Sequence, residues 1–342
     1  MRVTLRDIAE RVGLSHATVS FVLNGRMDVS IPAATRERVL LAAKAMGYRP
    51  NRAAQALVRG RTNMVALWLP LVNSAHYARA QLEFAALAAD DGFELVTRRF
   101  DFSRAKAEQT WEVDDWPVDG ILMLDCYQPS NAVFAAPIGV PLVSLGAMYD
   151  PGYDHVGVDV AAGFGEAMAH LGSEGCRRIA HLTCDANSHR EPRLAAYLAE
   201  CQARNLEPEL IETRMCSRSN ARGSVREYVA AKGAPDAIVA QSDELAIAAR
   251  RGLADGGLDV PTDVLIVGCD GSEEGECAFP SVTSISQPEG ELFRTSWQVL
   301  RDRIAASPIK RGAAKPEDQV SEPIHAEILE ARLTIRESSV RP

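Results

Sequence analysis

The sequence predicts a small all-α head followed by an α/β core built from parallel sheets flanked by helices. Three observations carry this. The first 24 residues hold two short helix patterns joined by a glycine, the sign of the charge changes near residue 61, and beyond it short apolar runs alternate with helical stretches. Short buried strands interleaved with helices mean α/β units on parallel sheets. About 280 residues of that pattern exceed what one sheet usually carries, so two similar lobes are expected, although no internal sequence repeat is evident.

The head begins with TLRDIAERVGLSHATVSFVLN, Thr4 to Asn24. Thr4 suits an N-cap, with Asp7 three residues on in a capping-box-like position. Leu5, Ile8, Ala9 and Val12 fall at i, i+3, i+4 and i+7 and give one apolar face. Gly13 supplies the turn, and Ser15 caps a second helix whose inward residues are Val19, Val22 and Leu23. Two such helices fit a helix-turn-helix, whose second helix enters the major groove of DNA. By pattern alone they fit an ordinary helical hairpin equally well.

Charge separates these readings. The whole chain carries −9, yet residues 1–61 hold eleven Lys/Arg against four Asp/Glu, or +7, while the remaining residues hold 26 against 42, or −16. A basic head on an acidic body is the electrostatic footprint of a small nucleic-acid-binding domain on a larger regulatory one.

After a loop, Pro32 fits the first turn of a third helix with Val39, Leu40, Ala43 and Met46 as its stripe, ended by Gly47. Tyr48-Arg49-Pro50 is a break, and Asn51 caps a short alanine-rich helix, RAAQALVRG, that is too short to persist alone. From Thr62 the expected strands are Met64–Leu69, Ile121–Leu124, Pro141–Leu145, Ile179–Thr183, Ala237–Ala240 and Val264–Val267. The expected helices among them are Arg79–Ala89, Gly163–Gly172, Arg193–Ala203, Ser224–Ala231 and Glu244–Ala254.

Several function classes are disfavoured. No apolar run approaches the ~20 residues a membrane span needs, and the N-terminus lacks a signal-peptide h-region. Seven scattered cysteines, none spaced CxxC, favour reduced thiols in a cytoplasmic protein and argue against a zinc site or a disulfide framework. There is no phosphate loop, Gly163-Phe-Gly165 lacks the third glycine of the dinucleotide fingerprint, and neither GxSxG nor HExxH occurs. No cofactor, metal or catalytic residue is therefore assigned.

The order and spacing of several segments resemble the LacI/GalR family of bacterial transcription regulators. They are TLRDIAERVGLSHATVSFVLNG, TRERVLLAAKAMGYRPNRAAQAL, RTNMVALWLP, VDGILML, GVPLVSLG, VDVAAG, EGCRRIAHLTC, SDELAIAARRGL, DVLIVGCDG and PSVTSISQP. The resemblance covers nearly the whole chain. It implies a helix-turn-helix over 1–47, a hinge helix over 48–61, and a two-lobed periplasmic-binding-protein-like core over 62–342. Lobe 1 would take about 62–159 plus 288–320, and lobe 2 about 160–287 plus 321–342. It also implies a homodimer on pseudo-palindromic double-stranded operator DNA, a nucleoid-associated cytoplasmic location, and a small-molecule effector, commonly a carbohydrate.

Carried over residue by residue, the resemblance makes the second helix the reader. His16, Ala17 and Phe21 would select the operator, while Thr18, Ser20 and Asn24 hold phosphates, with the caps Thr4 and Ser15 beside them. Many members carry arginine where this chain has Phe21, which can pack on a thymine methyl but cannot fork onto guanine. In the hinge, Leu57 matches a leucine wedged into the minor groove, with Asn51, Arg52 and Gln55 as polar contacts. In the effector cleft, Arg193 and Asp270 match residues that bind ligand hydroxyls or carboxylates. Ser242 would face the cleft from a position usually occupied by asparagine, and Asp159 would be a ligand contact or a hinge residue. Asn73, His76 and Tyr77 follow the first strand, in a run that departs from the family's Asn-Pro-Phe-Phe. Two other readings of the core remain, a solute-binding protein and an α/β enzyme, and the basic head argues against both.

Overall fold

The computed structural model describes residues 3–26, 28–48, 60–100, 117–126, 140–184, 191–214, 216–307 and 323–342. The chain divides into a head unit, residues 1–62 with 309–316, and a core unit, residues 63–308 with 317–342.

Among the described residues the head holds three helices, α1 (Leu5–Val12), α2 (His16–Leu23) and α3 (Ala33–Ala45). Thr4 and Asp7 form the expected capping box, with Thr4 N–H donating to Asp7 Oδ2 at 2.7 Å and Asp7 N–H to Thr4 Oγ1 at 3.3 Å. Gly13 takes the left-handed conformation that ends α1, and Ser15 Oγ accepts from Thr18 N–H at 3.1 Å. Ile8, Ala9, Val19, Val22, Val39 and Ala43 make the core. Leu40, expected in the stripe of α3, is instead 53% exposed, because the buried face runs through Val39 and Ala43 one helical step away. Pro32 is the N-cap of α3 rather than its first turn.

The core unit follows as β1 (Met64–Pro70), α4 (Ala75–Asp90), β2 (Glu94–Phe100), β3 (Gly120–Leu124), β4 (Leu142–Gly146) and β5 (Asp154–Asp159). Next come α5 (Ala161–Ser173), β6 (Ile179–Thr183), α6 (Pro192–Arg204), β7 (Glu209–Glu212), α7 (Arg218–Lys232) and β8 (Ala237–Ala240). The chain ends with α8 (Asp243–Asp255), β9 (Leu265–Asp270), α9 (Glu273–Glu276), β10 (Thr283–Ser286), α10 (Glu289–Ala306), β11 (Ala326–Glu330), β12 (Arg332–Thr334) and a 3-10 turn.

Two sheets result. The first runs β11-β5-β4-β3-β1-β2, all parallel, and the second runs β12-β10-β9-β8-β6-β7, parallel except for β12. Both faces of the central strands are covered. In β1, Val65, Leu67 and Leu69 pack against Phe84 and Phe293, while Ala66 and Trp68 pack against Phe100 and Met123. That is why these strands read as unbroken apolar runs. The strands that sequence patterning missed are edge or polar ones, such as Glu-Leu-Val-Thr-Arg-Arg-Phe in β2 and the alternating Ala-Glu-Ile-Leu-Glu of β11.

The chain crosses between sheets three times, after Asp159, after Ser286 and after Glu330. Ala331 N–H donates to Asp159 O at 2.9 Å, tying the first crossing to the third. The third crossing corrects the expected lobe boundary at 321. Ala326–Glu330 pairs with β5 in the first sheet, and only from Arg332 does the chain join the second.

The cysteines also differ from expectation. Cys184 and Cys216 form a disulfide with Cα atoms 5.1 Å apart, and the other five are free. The two lie 32 residues apart but follow the neighbouring strands β6 and β7, a proximity that spacing rules for local motifs do not detect. Among the described residues no cluster could hold a metal ion, and no helix is long and apolar enough to cross a membrane.

Helices α7 and α8 meet at Gly252, where a Cβ would lie 2.6 Å from Arg222 O and 3.1 Å from Val225 Cβ. Backbone cannot move aside as a side-chain tip can. Gly252→Ala is expected to destabilise the core by ~1–3 kcal/mol, measured as a lower urea midpoint with an unchanged m-value.

Candidate functional site

Strand order dictates where a ligand could sit. In each sheet the order reverses beside the first strand, at β2-β1-β3 in one and β7-β6-β8 in the other. Crevices outside the carboxyl ends of strands at such reversals are where open α/β sheets bind ligands. The loop after β1 delivers His76 and Tyr77 on the first turn of α4, and Asp125 immediately follows β3. Arg193 lies at the start of α6, following β6, and Asp243 at the start of α8, following β8. Asp270 ends β9, and Gln287 and Glu289 lie at the second crossing.

These side chains are buried and interlinked. His76 Nδ1 lies 2.7 Å from Glu289 Oε1, and Nε2 is 3.5 Å from Asp125 Oδ2, an ion pair without hydrogen-bond geometry. Tyr77 OH donates to Asp125 Oδ2 at 3.5 Å. Arg193 Nη1 donates to Glu191 Oε1 at 3.1 Å and Nη2 to Asp270 Oδ1 at 3.4 Å, while Gln287 Nε2 donates to the same Asp270 oxygen at 2.9 Å. Buried polar groups normally find partners. Among the described residues Arg193 Nε and Gln287 Oε1 have none, and neither has His76 Nε2. One donor and one acceptor are thus left beside the Arg193–Asp270 pair for a ligand.

Electrostatics follow from this packing. Burial opposes the charged form of His76, but the carboxylates of Asp125 and Glu289 outweigh it and push the imidazole up to about 10. Burial likewise opposes the charge on Asp125, yet His76 and Arg193 bring it below the usual carboxylate range. Asp270 moves the other way: burial raises it, and Arg193 offsets this only in part. Asp243 is pushed up to about 7 by burial and by Asp270; its oxygens accept from Ser284 Oγ and Ser272 N–H, both at 2.6 Å. Glu244, the next residue, accepts from Ala75 N–H at the start of α4, so a carboxylate from the second lobe caps a helix of the first.

The structure gathers His76, Tyr77, Arg193 and Asp270 and separates the other expected cleft residues from them. Ser242 caps its own helix, its Oγ accepting Leu245 N–H at 3.3 Å. Asp159 is exposed and closes its own turn onto Ala161 N–H at 2.8 Å, which favours the hinge alternative. Asn73 is exposed ahead of α4. Sequence reasoning missed Asp125, Glu191, Glu244, Gln287 and Glu289. Asp125 had a usable signal, an acidic residue immediately after the apolar run Ile-Leu-Met-Leu. An open depression of about 830 Å³ on the other side of α10, beside Arg294, Gln298 and His325, lies away from this cluster.

In the head, His16 and Ala17 are exposed, while Thr18, Ser20, Phe21 and Asn24 are partly exposed. Phe21 lies outside the apolar cluster of the head, so it is not a core residue. Ser20 Oγ accepts from Asn24 Nδ2 at 3.1 Å, and Ser15 and Thr18 hydroxyls are 2.8 Å apart. Asn51, Arg52, Gln55 and Leu57 lie outside the described residues.

Comparison with known proteins agrees with both halves. A family model described as bacterial regulatory proteins, lacI family, matches residues 4–51, and a periplasmic binding protein-like domain matches residues 168–339. The chain is 31% identical to the HTH-type transcriptional regulator CelR of Thermobifida fusca, over 98% of each chain. It is 29% identical to DegA of Bacillus subtilis, over 85% of this chain and 88% of that one. A solved CelR–cellobiose complex is 30% identical, with a TM-score of 0.65 and coverage of 98% and 100%. The Lac repressor dimer bound to operator and the anti-inducer ONPF gives a TM-score of 0.80 at 23% identity, covering 99% and 100%, a likeness of fold alone.

Proposed function

The chain belongs to the LacI family of bacterial regulatory proteins, and from that premise we propose that it is a sequence-specific transcriptional repressor whose operator affinity is set by a neutral sugar bound between its two lobes. The observation that carries the sugar half is the buried cluster of His76, Asp125, Glu289, Arg193, Asp270 and Gln287, contributed by both lobes and left, among the described residues, with Arg193 Nε, His76 Nε2 and Gln287 Oε1 without hydrogen-bond partners. Sugar hydroxyls both donate and accept, and so complete such a set.

The cluster also selects against acids. Asp125, Glu191, Asp270 and Glu289 outnumber Arg193, protonated His76 and the Arg79 that pairs with Glu289, so a ligand carboxylate would meet an excess of like charge. Like-charge juxtaposition costs several kcal/mol when desolvated. The aldonate of a bound sugar is expected to bind at least ~10-fold more weakly than the sugar itself, measured by calorimetry at pH 7. Equal affinity would contradict the neutral-ligand reading. Cellobiose, the ligand of the CelR complex, is the first sugar to test.

In this reading residues 1–47 form the DNA-binding domain, 48–61 the hinge and 62–342 the effector and dimerisation core. His16, Ala17 and Phe21 face base edges, while Thr4, Ser15, Thr18, Ser20 and Asn24 face phosphates. Asn51, Arg52, Gln55 and Leu57 engage the minor groove. A homodimer on a pseudo-palindromic operator follows from two-fold symmetry matching. The protein acts in the cytoplasm on nucleoid DNA, and it binds its sugar without turning it over. Binding to duplex DNA, followed by fluorescence anisotropy, should weaken steeply with added salt as phosphate contacts release counterions. A flat salt response would count against the head as the binding surface.

A further inference from the structure

The end of α2 is built in a way that places one more cation beside the reading face. Gly25, at φ +68°, follows the C-cap Asn24. Its N–H donates to Val22 O at 3.1 Å, and Arg26 N–H donates to Phe21 O at 2.9 Å. These are the paired bonds of a Schellman motif, which brings the side chain two residues past the cap against the third residue from the helix end. Here those residues are Arg26 and Phe21. The Arg26 guanidinium carbon lies 5.7 Å from the centroid of the Phe21 ring, within cation–π range. From the far side, Arg36 donates to the carbonyls of Arg26 at 2.7 Å, Val29 at 3.0 Å and Ile31 at 3.3 Å, pinning the loop that follows. The backbone of Arg26 is therefore fixed by these bonds, and its guanidinium rests over the Phe21 ring.

The guanidinium is not idle. Its Nε donates to Asp28 Oδ1 at 2.6 Å and its Nη2 to Asp28 Oδ2, a two-pronged pair in which both side chains are more than half exposed. Both partners face solvent, where screening weakens an ion pair, so the carboxylate is open to exchange for another oxyanion. The fork that grips a carboxylate also fits a phosphate, so Asp28 occupies the place an oxyanion would take.

We propose that Arg26, positioned by Phe21 and the helix cap, is a DNA phosphate contact that exchanges Asp28 for the backbone of the operator. The proposal rests on the operator-binding reading of the head. An arginine at the end of the reading helix meets the groove edge, while residues near the start of that helix meet base edges. Phe21 then has two roles, as an apolar surface toward the groove and as the platform that holds a cation at its rim. Asp28, left facing the duplex after the exchange, opposes binding.

The test uses the full-length chain and a 30-base-pair duplex pool of randomised sequence, with binding followed by anisotropy across a salt series. Arg26→Gln keeps the stem over Phe21 and removes the charge. It should weaken binding severalfold and reduce the slope of log affinity against log salt by about one per subunit, without changing the sequence enriched from the pool. Asp28→Asn should tighten binding. An unchanged slope in Arg26→Gln, a changed base preference at one position, or weaker binding by Asp28→Asn would each overturn the proposal. If the wild-type chain bound no duplex, the operator-binding reading itself would fall. A normal wild type with an unaltered variant removes only the role of Arg26.

Discussion

Replacing Arg193 with alanine lowers sugar affinity by roughly 100-fold and leaves duplex DNA binding intact. The guanidinium donates to Glu191 and Asp270 and has Nε left over for a ligand. A hydrogen bond to a charged group contributes ~1.5–3 kcal/mol, and loss of the fork also removes the cation that partly offsets the burial of Asp270. Breaking one side of a buried pair costs ~3–5 kcal/mol, so the variant core should also melt earlier. Arg193→Lys separates the two effects, because it keeps the charge and loses the planar fork. Calorimetry with cellobiose, at a temperature where circular dichroism shows both variants folded, should give a smaller loss for lysine than for alanine. Unchanged affinity in both would remove Arg193 from the site.

The second large effect is on pH. In the folded chain His76 is pushed up to about 10 from an ordinary 6.5. Between those values the folded state keeps a proton that the unfolded state has released. The stabilisation is therefore complete below pH 6.5 and is lost as pH rises through 10. Asp243, raised from 3.8 to about 7, has the same sign in a lower window: its contribution fades as pH rises through 7. Asp125, held below 3.8, has the opposite sign and loses its contribution only as pH falls through that lower value. Core stability should thus decline on the order of a few kcal/mol between pH 7 and 9.5. Urea midpoints across that range test it, with His76→Gln flattening the decline. Equal slopes in wild type and variant would show that His76 does not carry the proton.

The head was legible in the sequence almost residue by residue. Capping, a turn glycine and a 3.6-residue stripe are local signals, and Thr4, Gly13, Ser15, Val19 and Val22 all behave as those signals require. The interior strands β1, β3, β4, β6, β8 and β9 were legible because burial on both faces leaves an apolar run, whereas the interior β5 and β10, which bury His155, Thr283 and Ser284, were not. The edge strands β2, β7, β11 and β12 were not, since half-exposed strands mix in charged residues. The two sheets share one strand order without a visible sequence repeat, because different apolar residues satisfy the same packing. Arg193 and Asp270 could be carried over from a family pattern. Their companions Asp125 and Glu289 could not, because 164 positions separate them and only the second crossing brings the start of α10 toward β3. Ser242 has a local role the family pattern does not give, accepting Leu245 N–H as the cap of its own helix.

The central claim is that one chain couples a sugar site to a DNA site. Coupling free energy is reciprocal, so each ligand must change the affinity of the other by the same factor. The direct measurement is anisotropy of a duplex enriched by the full-length chain, titrated with and without saturating cellobiose, alongside calorimetry of cellobiose with and without that duplex. Equal factors are expected in the two titrations, within about 5–150-fold. A duplex affinity that stays the same under saturating sugar would contradict that claim.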